Sequence, residues 1–236
     1  MIERTNTFGQ PIGQPVPGWT VRPFPAPEPI DGRYCRLEKI DAARHAKDLF
    51  SAYAQVSGAA DWTYLFAEPF AEESTFADYL RTVSVQRDPQ HYAILDGVSG
   101  KAAGSAALMR IEPEHGVIEV GHIHYGSALQ RSRTATEAMY LLMRRIFDEL
   151  GYRRYEWKCD SLNAPSRRAA ERLGFRFEGI FRQAIVYKAR NRDTAWYSVI
   201  DSEWPMLRSA FEAWLAPENF DAMGKQRRSL SELRGL

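Results

Sequence analysis

The chain has 236 residues, of which 44% are hydrophobic and 26% charged, and a formal net charge of +1. That length buries a full core in one domain with extensions. The even charge gives no global reason to expect nucleic acid or a membrane surface, and no apolar run reaches the length of a transmembrane helix. The N-terminus lacks the basic-then-apolar pattern of a secretory signal, and the only cysteines are Cys35 and Cys159, so a reduced, cytoplasmic protein is expected, with a disulfide left open.

Residues 1–30 carry Pro11, Pro15, Pro17, Pro23, Pro25, Pro27 and Pro29, which excludes a regular helix or central strand and predicts an extended arm lying on the domain. Trp19 and Phe24 are its candidate anchors. The folded domain is placed at 31–204 and a helical tail with a frayed, charged end at 205–236. Tyr34 to Ile40 reads as a strand, and Asp41 as the N-cap of a helix whose Ala42, Ala46, Leu49, Phe50 and Tyr53 fall at helical spacing. Phe76, Tyr79, Leu80 and Val83 mark a second helix. Strands follow around Tyr92–Leu95, Ala102–Ile111 and Val117–Tyr125, separated by Gly-containing turns, as an antiparallel meander expects.

A basic loop, Gln130-Arg131-Ser132-Arg133, then runs into a helix striped by Ala135, Ala138, Met139, Leu142, Ile146 and Leu150 and ended by Gly151. Thr134 and Glu137 have capping-box spacing, which puts the helix start at Thr134. Such a start offers unpaired N–H groups and partial positive charge, a place for phosphate, with Arg131 and Arg133 beside it. Tyr155–Cys159 reads as a buried strand, and Asn163 as the cap of a short helix ending at Leu173-Gly174-Phe175. Two strands, Phe177–Lys188 and Thr194–Ile200, are joined through Asn191-Arg192-Asp193, and a helix spans Pro205–Trp214. The order predicts an α/β (mixed α+β) fold, a mostly antiparallel twisted sheet flanked by helices. The central helix makes its two flanking strands a parallel pair that splays into a cleft.

These residues resemble the GCN5-related N-acetyltransferases (GNAT), and among them the ribosomal-protein-alanine acetyltransferase-like branch, from Gly32 to Trp204. The family's acetyl-CoA loop begins with Gln or Arg, has Gly at its fourth place and ends in Gly or Ala. Gln130 and Ala135 fill the ends, while Arg133 stands where Gly is expected, so it must hold the same backbone shape at some cost or bind phosphate with its side chain. Glu119-Val120-Gly121 resembles the start of the fourth family strand. The resemblance makes Ile123, His124 and Tyr125 cofactor-facing through main-chain groups, along with Gln130, Arg131, Ser132, Arg133, Thr134, Ala135, Asn163 and Ser166. Asn163-x-x-Ser166, Leu173-Gly174-Phe175 and Glu203-Trp204 also match the branch.

The resemblance implies an acetyl-CoA-dependent N-acetyltransferase acting by direct transfer to a primary amine in a ternary complex, with no metal. The amine is on a small molecule, a peptide N-terminus or a protein, and a homodimer is possible. Direct transfer needs a base and a proton for the leaving thiolate. Glu119 is the candidate base, against a reading as a sheet carboxylate paired to an Arg. Ser166 is the candidate for contact with the sulfur end, against a first-turn Ser that bonds backbone. Many family members have Tyr in this short helix, where this chain has Arg167 and Arg168. Cys159 is a candidate acid, against a buried small hydrophobe. His122 and His124 are read as facing opposite sides of their strand, so that one at most faces the cleft. Trp62, Tyr64 and Phe66 are read as an acceptor wall or core packing. Two other classes stay open: a catalytically silent acyl-CoA-binding module, and a protein-interaction module using the Pro-rich arm.

Overall fold

The structure, a computed structural model, describes residues 4–54 and 58–235. The N-terminal segment makes a small hairpin of β1 (Arg4–Thr5) and β2 (Pro11–Ile12). It then lies along the body of the molecule, where Trp19 Nε1 donates to Glu114 O at 2.9 Å and the Arg22 N–H to Pro113 O at 3.0 Å. Gly116 makes this contact possible. Its φ is +61°, and a Cβ there would sit 2.5 Å from the Trp19 ring, so neither backbone nor space admits another residue.

The main sheet follows β3 (Ile30–Asp31), β4 (Cys35–Lys39), β5 (Gln90–Asp96), β6 (Ala102–Glu112), β7 (Val117–Tyr125), β8 (Arg154–Asp160), β9 (Arg176–Tyr187) and β10 (Arg190–Ile200). Its spatial order is β3-β4-β5-β6-β7-β8-β10-β9, with every neighbour antiparallel except the β7–β8 pair. The helices are α1 (Ala42–Ala54), α2 (Glu73–Ser84), α3 (Arg133–Arg144), α4 (Ala164–Arg172), α5 (Trp204–Leu215) and α6 (Leu230–Leu233). Side chains alternate across each strand, so the sheet fills two cores. Leu37, Ile94, Leu108, Ile118 and Val120 pack with Leu142 of α3 and Phe211 of α5, while Ala93 and Ala102 pack with Leu49 of α1 and with Phe76 and Leu80 of α2. Each fully buried Leu or Phe contributes about 1.5–3 kcal/mol. The α3 helix is buried from Ala135 to Met143 and continues as a π-turn over Arg145–Glu149, closed by Gly151 at φ +68°.

Three local expectations are corrected. The β9–β10 turn falls on Lys188 and Ala189, both at positive φ (48° and 55°), as two-residue primed hairpin turns require. Asn191 to Asp193 belong to β10, where the Asp193 carboxylate accepts the Gln183 N–H at 2.7 Å across a bulge. The strongest turn formers therefore serve a bulge, not the turn. The α3 helix is capped by Ser132, whose Oγ accepts the Ala135 N–H at 3.0 Å. Glu137 is not part of a capping box, because its carboxylate accepts the N–H groups of Arg33, Tyr34 and Cys35 at 2.8, 2.6 and 2.8 Å. The C-terminal segment, as far as it is described, is packed and capped, where a frayed end was expected. Phe220 and Leu230 are buried, and Ser229 with Glu232 forms a capping box for α6.

Candidate active site

The β7–β8 ladder runs only from Val117–Arg154 to Val120–Trp157. Beyond it, Gly121–Tyr125 of β7 and Lys158–Asp160 of β8 have no ladder partner on their facing edges among the described residues, though each strand remains paired on its other side. Backbone N–H and C=O groups at such an edge require partners. The parting coincides with a bulge, where the β6–β7 register shifts between Ser105 and Ala107 and His122 takes φ 48°.

At the open end stands the loop leading to α3. Gln130 Nε2 turns back onto Tyr125 O at 3.2 Å, and Arg131 takes the left-handed φ of 57°. Ser132 Oγ donates to Leu129 O while capping the helix, so the first-turn N–H groups of Arg133 and Thr134 have no partner among the described residues. Arg133 is itself helical, so the departure from Gly carries no left-handed strain, which falls on Arg131 instead. The Arg133 guanidinium lies over Phe220 at 4.4 Å and Tyr34 at 5.0 Å. The C-terminal segment thus flanks this loop. Ala135 is buried in the first turn.

Asn163 caps α4 by accepting the Ser166 N–H at 3.1 Å. The Ser166 hydroxyl bonds no backbone group among the described residues. Its Oγ accepts the Trp157 indole N–H at 3.0 Å, which leaves the Ser166 proton free for another acceptor. Cys159 is buried and unpaired by disulfide, as is Cys35. Burial pushes the Cys159 thiol pKa up, against the Ser166 hydroxyl and the Arg192 and Arg167 charges that pull it down, and the side chain remains a thiol near neutral pH.

Across the sheet, His122 and His124 both face the side of α1 and α2, contrary to the opposite-face reading. Residues two apart share a face. The His124 ring stacks on Tyr53 at 3.8 Å and meets Trp62 edge-on at 4.5 Å. His122 lies 5.1 Å from His91 and 6.1 Å from Phe66. Burial, then Arg110 and Arg192, lower the His122 pKa, so its imidazole is neutral near pH 7. Trp62 is buried, Phe66 is exposed, and the Tyr64 hydroxyl donates to Leu162 O at 3.2 Å. Trp62 also closes a cavity of about 150 Å³ lined by Phe50, Tyr53, Phe70 and Phe76.

Glu119 is 2% exposed. Arg110 Nη1 donates to both of its oxygens at 2.7 Å, and Lys158 Nζ lies 3.0 Å from Oε2. Lys158 also pairs with Glu156 at 2.7 Å and sits 3.8 Å above the Trp196 ring. Burial pushes the Glu119 pKa up and the two cations pull it back. This is the paired-carboxylate reading of Glu119, extended to a network.

Asp160, Tyr187 and Arg192, which no sequence motif marks, complete the region. Tyr187 donates to Asp160 Oδ2 at 2.8 Å, and burial with that carboxylate raises its pKa to about 12. The Arg192 guanidinium lies 5.7 Å from the Phe66 ring and 5.9 Å from that of Tyr187. The available signal for Arg192 was its alternation with Thr194 and Trp196, hidden by placing the turn at 191–193.

A splayed parallel pair with a helix start at its mouth is the arrangement of an acyltransferase of the GNAT type. The profile of the acetyltransferase (GNAT) domain matches residues 36–176, and the chain belongs to this family. A GCN5-related N-acetyltransferase from Brucella melitensis is 52% identical, with 94% of this chain and 100% of that one covered at a TM-score of 0.92. YdaF of Bacillus subtilis, provisionally named a ribosomal N-acetyltransferase, is 26% identical over 174 residues, covering 71% of this chain and 90% of its own. RimL, a ribosomal L7/L12 alpha-N-protein acetyltransferase solved with coenzyme A, shares the fold at a TM-score of 0.62 with 19% identity, covering 74% and 99%. Such relatives support the ribosomal-acetyltransferase-like branch, and the chain is an N-acetyltransferase by family.

Proposed function

We propose that the protein uses acetyl-CoA and passes the acetyl group directly to a primary amine while both are bound. The observation that carries this reading is the parting of β7 and β8 after four paired positions, with the α3 start at its mouth. The free edges of residues 121–125 and 158–160 suit an extended amide-bearing arm. That assigns Ile123, His124 and Tyr125 to main-chain contact. The N–H groups of Arg133 and Thr134, with the Arg131 side chain, suit the pyrophosphate. The Asn163 Oδ1 is taken by its capping bond, so its Nδ2 is the group left for the arm.

The attacking amine must lose a proton and the departing sulfur must gain one. His122, neutral and on the face of the aromatic wall, is the proton acceptor in this reading. Glu119 keeps that face charged and rigid, since both its oxygens are already engaged. Ser166 holds the proton for the sulfur, its oxygen fixed by Trp157, with Cys159 beside it. The acceptor class, an amine on a small molecule, peptide or protein, is supported by the names of the relatives. A homodimer through β9 is supported by the exposure of Phe177, Ile180, Phe181 and Val186 on that edge strand.

Free-thiol release from acetyl-CoA over a panel of amines and N-terminal peptides tests the reading. Turnover that falls about 100-fold in His122→Gln, with acetyl-CoA binding retained, is expected. Tight acetyl-CoA binding with no turnover on any amine would favour the silent module instead.

A further inference from the structure

Lys158 and Arg192 are both buried cations on the same side of the sheet, but their surroundings differ. Lys158 has two glutamates. Arg192 is 7% exposed, and its one hydrogen-bonded partner among the described residues is Thr194 Oγ1, reached from Nε at 3.2 Å. No carboxylate of the described residues lies within ion-pair distance of it. Asp160, opposite Thr194 on β8, is engaged by the Tyr187 hydroxyl at 2.8 Å and the Leu162 N–H at 2.9 Å. The guanidinium also lies over the rings of Phe66 and Tyr187.

A guanidinium this buried is costly unless an anion completes it. Its planar fork is also the side chain best shaped to hold a carboxylate by two parallel hydrogen bonds. The position is reachable, because Phe66 is 49% exposed and its ring touches Arg192, Tyr187 and His122 at 5.7, 5.8 and 6.1 Å. The Phe66 ring, which Arg192 meets at 5.7 Å, also lies 6.1 Å from His122, so Arg192 stands on the same side of the cleft as the proposed proton acceptor, whose pKa its charge helps to lower.

We propose that Arg192 receives a carboxylate of the acceptor, which makes the acetylated amine part of an acidic molecule. The carboxylate is the α-carboxylate of a free amino acid or an acidic side chain next to a peptide N-terminus. The amine role of that molecule rests on the acetyltransferase reading above; the carboxylate site itself does not.

The test is thermal unfolding of wild type and Arg192→Gln, with and without CoA. The probes are the twenty amino acids against their C-terminal amides, and the dipeptide amides Ser-Asp against Ser-Asn. At least one acid should raise the wild-type Tm by about 2–4 °C more than its neutral partner, and that difference should vanish in Arg192→Gln. Arg192→Lys, which keeps the charge, should retain part of it and serves if the Gln variant does not fold. Without ligand, Arg192→Gln should melt at or above wild type, which a structural arginine would not do. The amino-acid and dipeptide arms separate the two sources of carboxylate. The proposal is overturned if no acid exceeds its neutral partner, or if the difference survives in Arg192→Gln. Absence of any CoA effect on the wild-type Tm would instead sink the acetyltransferase reading, and the CoA-free comparison would still decide the role of Arg192.

Discussion

Glu137 shows how much one side chain on a buried helix can hold. It is 4% exposed and accepts three backbone N–H groups from the Arg33–Cys35 segment, tying the start of β4 to α3. Glu137→Ala leaves three buried donors without acceptors, and each such donor costs about 1–3 kcal/mol. With allowance for relaxation and water entry, a loss of about 3–5 kcal/mol is expected in urea unfolding; a loss below about 1 kcal/mol would show that the segment finds other partners. The buried histidines set a pH dependence. Burial lowers the pKa of His124 to about 4, and burial with His122 lowers that of His91 to about 4. Both lie below the unfolded value of about 6.5, so the unfolded chain binds more protons between these limits. Stability is full above pH 6.5 and declines as pH falls toward 4, by about 1.4 kcal/mol per pH unit for each histidine. His45 and His122 shift in the same direction. His124→Phe keeps the stack on Tyr53 and removes a buried Nε2 without a partner, so unfolding between pH 4.5 and 6 should show a slope lower by about one proton. An unchanged slope would exclude His124 as a contributor.

At the scale of elements, what was legible in the sequence depended on the reach of the signal. Asn163 was readable because its cap closes over three residues, and Gly151 because a helix stop is equally local. The start of α3 was misread because Ser132 and Thr134 are both good caps. The choice between them depends on Glu137 being drawn to a segment about 100 residues earlier in the chain, which no local pattern contains. The acceptor side failed for the same reason. Phe66, His122, Asp160, Tyr187 and Arg192 come from a loop and four strands, and only the sheet order brings them together. The β9 edge was legible as a strand but not as an edge. It runs for 12 residues with apolar side chains in solvent, and such an edge pairs readily with another chain. Sedimentation should find a dimer that Phe181→Lys with Val186→Lys converts to monomer; a wild-type monomer at all concentrations would remove β9 as an interface.

For the whole molecule, the sheet is a frame with one deliberate gap. Six of its seven contacts are antiparallel ladders, and the one parallel ladder stops at Val120 and Trp157. The frame brings the α3 start, Ser166 and the His122 side chain to the three borders of that gap. The family pattern was readable along the chain because its motifs are short and ordered, while the proposed acceptor site was not, since it draws on side chains from distant strands. The central claim is that the gap holds acetyl-CoA, and calorimetric titration tests it most directly. Wild type should bind one acetyl-CoA per chain at micromolar Kd. Arg131→Ala, which removes a charge at the helix start that has no ion-pair partner among the described residues, should weaken binding about tenfold. Arg133→Ala, whose guanidinium is held between Tyr34 and Phe220, should weaken it less. No binding of acetyl-CoA to the wild-type protein would contradict the account.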